Sequence, residues 1–540
     1  MSLVTQTWLE DTNSIRCLLV ELKVLDYVGT YGGTSGNGYA GTVYLGTTGY
    51  NLGDSSISYL PYLTNSFQTS ENMSLDGSLS LTYGDLEIQN PNGDFDSWLD
   101  NTKYIWANQA VKVYFGDPRW SSTSINDVRS NFELVFDGII QEIDSKSRET
   151  VNLKIADKLQ RLNSPLSEDK IGSIGTWAGG QPNIDTLKPL VFGEVFNMTP
   201  ELIDPSALQY QFNATATEMV IEIRDNGVPV YTDAAVYNSQ GITVASPRPT
   251  AAIIDLSAGK FILSQPLAGS VTCSVQGVKN SINLSSGALV TGTYKNNIAN
   301  LIALIATQYG NANLRLSAAD LDLINLAAFE AANAQPVGYL VTDRTNVLEV
   351  CQSLASSVGA QIYMARTGKL QILRLAVPAA ATTEITDNDI LHHSLSISTK
   401  TDVVAGSKVA YSKNWTTQTD LLTNILPPHK EIFATDWYTE TELDAAVKST
   451  YKLYADPDQK ETYLLQQSDA KAEAVRLRDY FKTPRMVYKF TGTSKLLLLN
   501  LGDAVRLTHN RFGLTTGKLG QIVGLNQNWV AGTVDVEVLI

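Results

Sequence analysis

Apolar and polar residues alternate with period two over long parts of this chain. In "FELVFDGIIQEIDSKSRETVNLKIADKLQRL", Phe132, Leu134 and Phe136 share one face, and Glu133 and Asp137 share the other. After the polar turn "DSKSRE", Val151, Leu153 and Ile155 alternate with Asn152 and Lys154. This pattern predicts half-buried antiparallel strands ending in a short helical tail, "ADKLQRL". Asp137-Gly138 interrupts an apolar run that resumes at once, which predicts a bulge or bend rather than a hairpin turn. Asp157 is the expected cap of the tail.

The same reading extends along the chain. "SIRCLLVELKVLDYV", "TVYLG" and "VKVYFGD" predict strands, so residues 1–180 form a first β domain. In residues 181–286, "VIEIRDNGVPVY" carries an Asp-Asn-Gly turn and no helix-length period intervenes, which predicts a small β-sandwich or barrel. In residues 287–378 the period changes. Ile298, Leu301, Ile302 and Ile305 fall at helical spacing, as do Val347, Leu348, Cys351, Leu354 and Val358, with Gly359 as the stop. With the strands of "QIYMARTGKLQILRL", this predicts an α+β module. Residues 379–540 return to β with helical insertions. One insertion, "SDAKAEAVRLRDYFKTP", is expected to begin at a serine cap and to end before Pro484. The fold class is mainly β with α+β parts, in several domains.

Composition narrows the function classes. The 540 residues are 43% hydrophobic and 18% charged, as expected of folded domains rather than disorder. A formal net charge of -15 argues against a dedicated nucleic-acid binder and favours solubility. Cys17, Cys273 and Cys351 are few and far apart, so neither a disulfide framework nor zinc spacing follows. The opening residues lack a secretory pattern, and no apolar run reaches the roughly eighteen residues that cross a bilayer. No membrane anchor is expected, and synthesis is expected in the cytoplasm.

Candidate chemistry is sparse. "GNGYAG" matches a dinucleotide fingerprint at Gly36, Gly38 and Gly41, but a β-like stretch follows where a helix would be needed. Asp94, Asp96 and Asp100 in "NPNGDFDSWLD" resemble a calcium loop, but Gly93 comes too early and no glutamate closes the loop. A solvated turn accounts for them, with a hydrolytic acid pair as the alternative. His392, His393, His429 and His509 show no metal spacing, and the adjacent pair is expected on opposite faces of a strand. No nucleophile elbow or phosphate loop occurs. Tryptophans 8, 98, 106, 120, 177, 415, 437 and 529 suit cores or interfaces, with Trp177 the candidate for stacking a sugar. No catalytic, metal or cofactor site is expected, and no enzymatic activity.

The order of four stretches adds what no single motif supplies. These are "MSLDGSLSLTYGDLEIQNPNGDFDSWL" with "VKVYFGD"; "FDGIIQEIDSKSRETVNLKIADKLQRLNSPL"; "KPLVFGEVFNMTPELIDPSALQYQF"; and "VLEVCQSLASSVGAQIYMARTGKLQILRL" with the closing strands from "LLLLNLGDAVRLTH" to "VEVLI". In this order the chain resembles the tail hub proteins of long-tailed bacteriophages, also called baseplate hub or tail-tip proteins. The resemblance implies two tail-tube-like β-barrel domains, at 1–180 and 379–540, with the two middle modules outside the ring. It implies a homotrimer whose paired domains match a sixfold tube, placed in the virion at the tail tip or baseplate. The implied partners are the distal tail or tail tube protein, the tape-measure protein, and tail fibre or spike proteins, with DNA present only in transit. A glycan-binding adsorption protein and a tail-associated polysaccharide hydrolase are the competing readings.

Overall fold

In the computed structural model, the alternating stretch from Phe132 becomes the strand Glu133–Ser147, which turns back into Thr150–Ala156. The structure describes residues 2–26, 39–53, 57–64, 67–73, 79–100, 103–172, 185–232, 252–423, 425 and 427–540. The chain is mainly β, in several sheets. It divides into two compact units. One combines Met1–Gln160, Tyr363–Thr401 and Arg485–Ile540; the other combines Arg161–Ile362 and Asp402–Pro484. Both units are discontinuous in sequence, whereas the sequence reading divided the chain into four consecutive blocks.

The first unit holds two large sheets. The seven-stranded sheet runs in the order Tyr39–Gly46, Cys17–Asp26, Ala110–Gly116, Glu133–Ser147, Thr150–Ala156, Leu86–Gln89, with Tyr104–Ile105 paired to the end of Cys17–Asp26. The eight-stranded sheet runs Thr383–Ile385, Ala504–Leu507, Lys518–Asn528, Thr533–Leu539, Met486–Gly492, Ser396–Lys400. Its remaining strands come from far away in sequence. Gln68–Met73 pairs with the second half of Lys518–Asn528, and Leu79–Tyr83 pairs with Gln68–Met73. One apolar core joins the sheets, with Val111, Val113 and Phe136 from the first and Leu525, Trp529 and Val536 from the second.

A buried polar knot fixes that crossing strand. The Thr69 hydroxyl donates to Gln527 Oε1 at 2.8 Å and accepts from Trp529 Nε1 at 3.1 Å. Gln527 Nε2 in turn donates to the Leu497 and Leu499 carbonyls. All three side chains are fully enclosed. Each polar atom named here is therefore satisfied inside the protein, as burial requires.

The irregularities of Glu133–Ser147 flank Asp137-Gly138 rather than fall on it. The register slips between Leu134 and Phe136 against one neighbour, and between Ile140 and Glu142 against the other. Gly138 itself stays in register, opposite Val111. Glycine is needed for space: a Cβ there would lie 2.3 Å from the Ala156 carbonyl oxygen and 2.4 Å from the Phe136 ring. Asp137 is an ion-pair centre, with Lys158 Nζ at 3.0 Å and Lys112 Nζ at 3.6 Å.

The second unit contains a five-stranded and a four-stranded sheet sharing a core of Val191, Val195, Phe212, Ile223, Phe261 and Val275. The Asp225–Gly227 turn forms as its sequence predicts, with positive φ at Asn226 and Gly227. The helix Ile298–Gln308 is buried from Ile298 to Thr307, so it is enclosed on every side rather than amphipathic. Val347–Ser356 also forms, and Gly359 takes the left-handed conformation just beyond it. The helix Gln467–Phe481 begins before Ser468. Its cap is Gln466, with no side-chain hydrogen bond, so the serine does not serve as the expected cap.

Two substitutions test this account. Gly138→Val is expected to destabilise the first unit by about 3 kcal/mol, through overpacking against a backbone that cannot yield. Thr69→Val is expected to cost about 2–3 kcal/mol, because it strands Gln527 and Trp529 without a partner. Urea unfolding followed by tryptophan fluorescence measures both.

Candidate functional site

The residues singled out for chemistry occupy structural posts. Asn90 Nδ2 donates to Asp96 Oδ1 at 2.8 Å, and Asn90 Oδ1 accepts from the Phe95 amide at 2.9 Å. Asp96 then opens the short 3-10 turn Asp96–Leu99, and Asp100 pairs with Lys103. Asp96 thus closes a local turn. Among the described residues, no three His, Cys, Asp or Glu side chains are grouped so as to hold a metal ion. No helix among the described residues is long and apolar enough to cross a membrane. The three cysteines are buried and unpaired. Gly36, Gly38 and Trp177 lie outside the described residues, and Gly41 belongs to the strand Tyr39–Gly46.

The tryptophans pack mostly inward. Trp106 donates from Nε1 to the Trp98 carbonyl, and the two rings lie 4.9 Å apart. Trp8 packs on Phe115 and Trp120, and Trp529 is fully buried. In the second unit, Lys413 Nζ sits 4.2 Å from the Trp415 ring centre and 5.3 Å from that of Trp437, with Tyr463 alongside. A lysine of the chain itself therefore occupies that aromatic cage.

His392 and His393 lie in a turn rather than a strand. His393 is left-handed, and the two rings are 3.7 Å apart, so they do not point to opposite faces. His429 is buried, and desolvation together with the Arg224 guanidinium holds its protonation below the usual imidazole range. No local signal in the sequence joins the groups that the fold gathers around the buried Arg366. The Arg366 side chain donates to Asn500 Oδ1 and to the Leu499 carbonyl, and lies over Trp529. The Arg366 carbonyl accepts from the Asp137 amide at 2.8 Å. Burial pushes the Glu71 carboxyl up, and the Arg366 charge opposes that shift.

The feature that best answers to function is an edge. Ser396–Lys400 is the outer strand of the eight-stranded sheet, paired on one side to Met486–Gly492, and all five of its residues are exposed. Ile397 is 41% exposed and the neighbouring Leu391 40% exposed. Among the described residues, no strand is paired to the other side of Ser396–Lys400. An uncovered edge carrying exposed aliphatic side chains is a template for another strand.

No family model matches this chain, and no curated protein matches it. Solved structures do resemble it. One is from the virion of a native gene transfer agent particle, with TM-score 0.41 and 12% identity, covering 71% of this chain and 91% of that one. Another is the 43 kDa tail protein of prophage MuSo2 from Shewanella oneidensis, with TM-score 0.37 and 9% identity, covering 96% and 98%. A third is the tail protein from Neisseria meningitidis MC58, with TM-score 0.35 and 9% identity, covering 96% of each. Likenesses at this level assign neither the fold nor the role of this chain.

Asp157 does cap the tail: its Oδ1 accepts from the Leu159 amide at 2.8 Å, at the start of the 3-10 turn Lys158–Leu162. Burial pushes its carboxyl up to about 6, against the opposing pull of the Leu159 and Gln160 amides. An acid raised in the folded state contributes stability that is fully present below its unfolded pKa, near 4, and lost as pH rises through about 6. Asp157→Asn keeps an acceptor for the cap and removes the charge. It is expected to stabilise the protein at pH 7 by about 2 kcal/mol, with the gain shrinking as pH falls through about 6 and vanishing near pH 4. Denaturant midpoints across that range measure it.

Proposed function

We propose that this chain is a structural component of a bacteriophage tail, a hub at its distal end that works by assembly and not by catalysis. On this reading it forms a homotrimer that closes the tail tube onto the baseplate or tail tip. It anchors fibres or a spike, contacts the distal tail and tape-measure proteins, and lines part of the path taken by DNA. The ordered resemblance of four stretches to tail hub proteins supports this. The observation that carries it is the uncovered outer strand Ser396–Lys400, exposed at all five positions. A neighbouring chain that added a strand there would satisfy its free amides and carbonyls and cover Ile397. The net charge of -15 suits a wall past which DNA slides, because an acidic surface releases no counterions from phosphates.

Light scattering of the purified chain is expected to give the mass of a trimer. Ile397→Lys is expected to shift it to monomer while leaving circular dichroism unchanged, because a charge on an edge strand blocks further pairing. Gold labelling of a tagged chain on intact particles is expected at the distal end of the tail. A stable monomer that never enters a particle would contradict the proposal.

A further inference from the structure

Three of the four histidines meet in one depression of the first unit, about 460 Å³ in volume. Its polar lining is Asp387, His392, His393, His509, Asn510 and Arg511, and Leu391 and Leu395 supply apolar wall. The volume falls in the range of small-molecule pockets rather than of a single water site. Two loops form it, and each holds a non-glycine residue in the left-handed region: His393 at φ 62° and Phe512 at φ 57°. Backbone of this kind persists where the surroundings impose it, and it clusters at binding sites.

The pocket holds more hydrogen-bond donors than its own acceptors use. His509 Nδ1 accepts from the Arg511 amide at 3.0 Å, so in the neutral ring Nε2 carries the hydrogen, and Nε2 faces Asp387 Oδ1 at 3.3 Å. The one carboxylate lining the pocket is thereby engaged. The Arg511 guanidinium rests on the Phe512 ring, 5.5 Å from its centre, and among the described residues it forms no ion pair. Stacking on a ring face leaves the guanidinium edge, with its N–H donors, for another acceptor. The imidazoles of His392 and His393, tilted at 48° with centroids 3.7 Å apart, add further N–H donors. Asp387, His392, His393, His509 and Arg511 are the titratable and charged groups lining the depression.

We infer that this depression is a binding site for a tetrahedral oxyanion, a phosphate or sulfate group carried by a ligand. Arg511 supplies the charge, and the His392 and His393 imidazoles stand beside it with N–H donors. Both His509 nitrogens are engaged, by the Arg511 amide and by Asp387, so His509 fixes the loop that carries Arg511 rather than donating to the ligand. The site adjoins the edge strand Ser396–Lys400 and shares Leu391 with it, but sulfate binding is read without reference to any role in a tail.

Sulfate is the probe. Calorimetric titration of the full chain with sodium sulfate, against sodium chloride at matched ionic strength, is expected to show saturable binding. The double substitution His392→Gln, His393→Gln is expected to weaken that binding about tenfold, and Arg511→Gln to weaken it by at least as much. These positions are exposed, and unchanged melting temperatures verify that the variants fold. Glycerol phosphate and a dinucleotide form two further arms. Preference for the first assigns the group to a terminal phosphate, and preference for the second to a phosphate within a polymer. Absence of saturable sulfate binding, or binding unaltered in all the variants, would overturn the inference.

Discussion

Everything in the first unit depends on the pairing of Gln68–Met73 with Lys518–Asn528. Through that pairing a strand from the N-terminal stretch enters a sheet made mostly of the last strands, and the two sheets acquire one core. Thr69 sets the register of the pairing, because only one alignment brings its hydroxyl to both Gln527 and Trp529. A slip of one residue would turn Thr69, Glu71 and Met73 outward together. The outer strand Ser396–Lys400 hangs on the same sheet, so its position relative to the core follows from this register.

Most strands were legible in the sequence, because period two is a local signal. The crossing strand was not. Its sequence, "QTSENM", puts Thr69 and Glu71 at inward positions and reads as a polar loop. Its partner lies more than four hundred residues away, and no local pattern specifies a partner at that distance. The four consecutive blocks of the sequence reading follow from the same limit: alternation reveals that strands exist, not which strands they join. Gly138 shows a subtler case. Glycine within an apolar run was visible, but its reason is a carbonyl on the next strand, so the bulge was expected between the two places where the chain slips rather than at either.

The candidate sites were legible as residue types and not as groupings. His392 and His393 were conspicuous, but the turn that brings their rings together and the loop that adds His509 and Arg511 arise only from the fold. Trp415 and Trp437 likewise converge on Lys413 from separate segments. Asp157 was identified correctly as a cap because capping acts over two residues. What the sequence reading recovers is set by range. Caps, turns and periods are encoded within a few residues, and sites are assembled across hundreds.

The discontinuous layout of the first unit has a consequence for biosynthesis. A ribosome delivers Met1–Gln160 before the second unit and Arg485–Ile540 after it. The second unit therefore has its whole sequence available while the first still lacks the strands that receive Gln68–Met73. The outer strand Ser396–Lys400 gains its paired neighbour among the described residues, Met486–Gly492, only after the whole second unit has been made. That edge therefore cannot take its place in a sheet while the second unit is still being translated, so the order of synthesis delays the appearance of an unpaired edge.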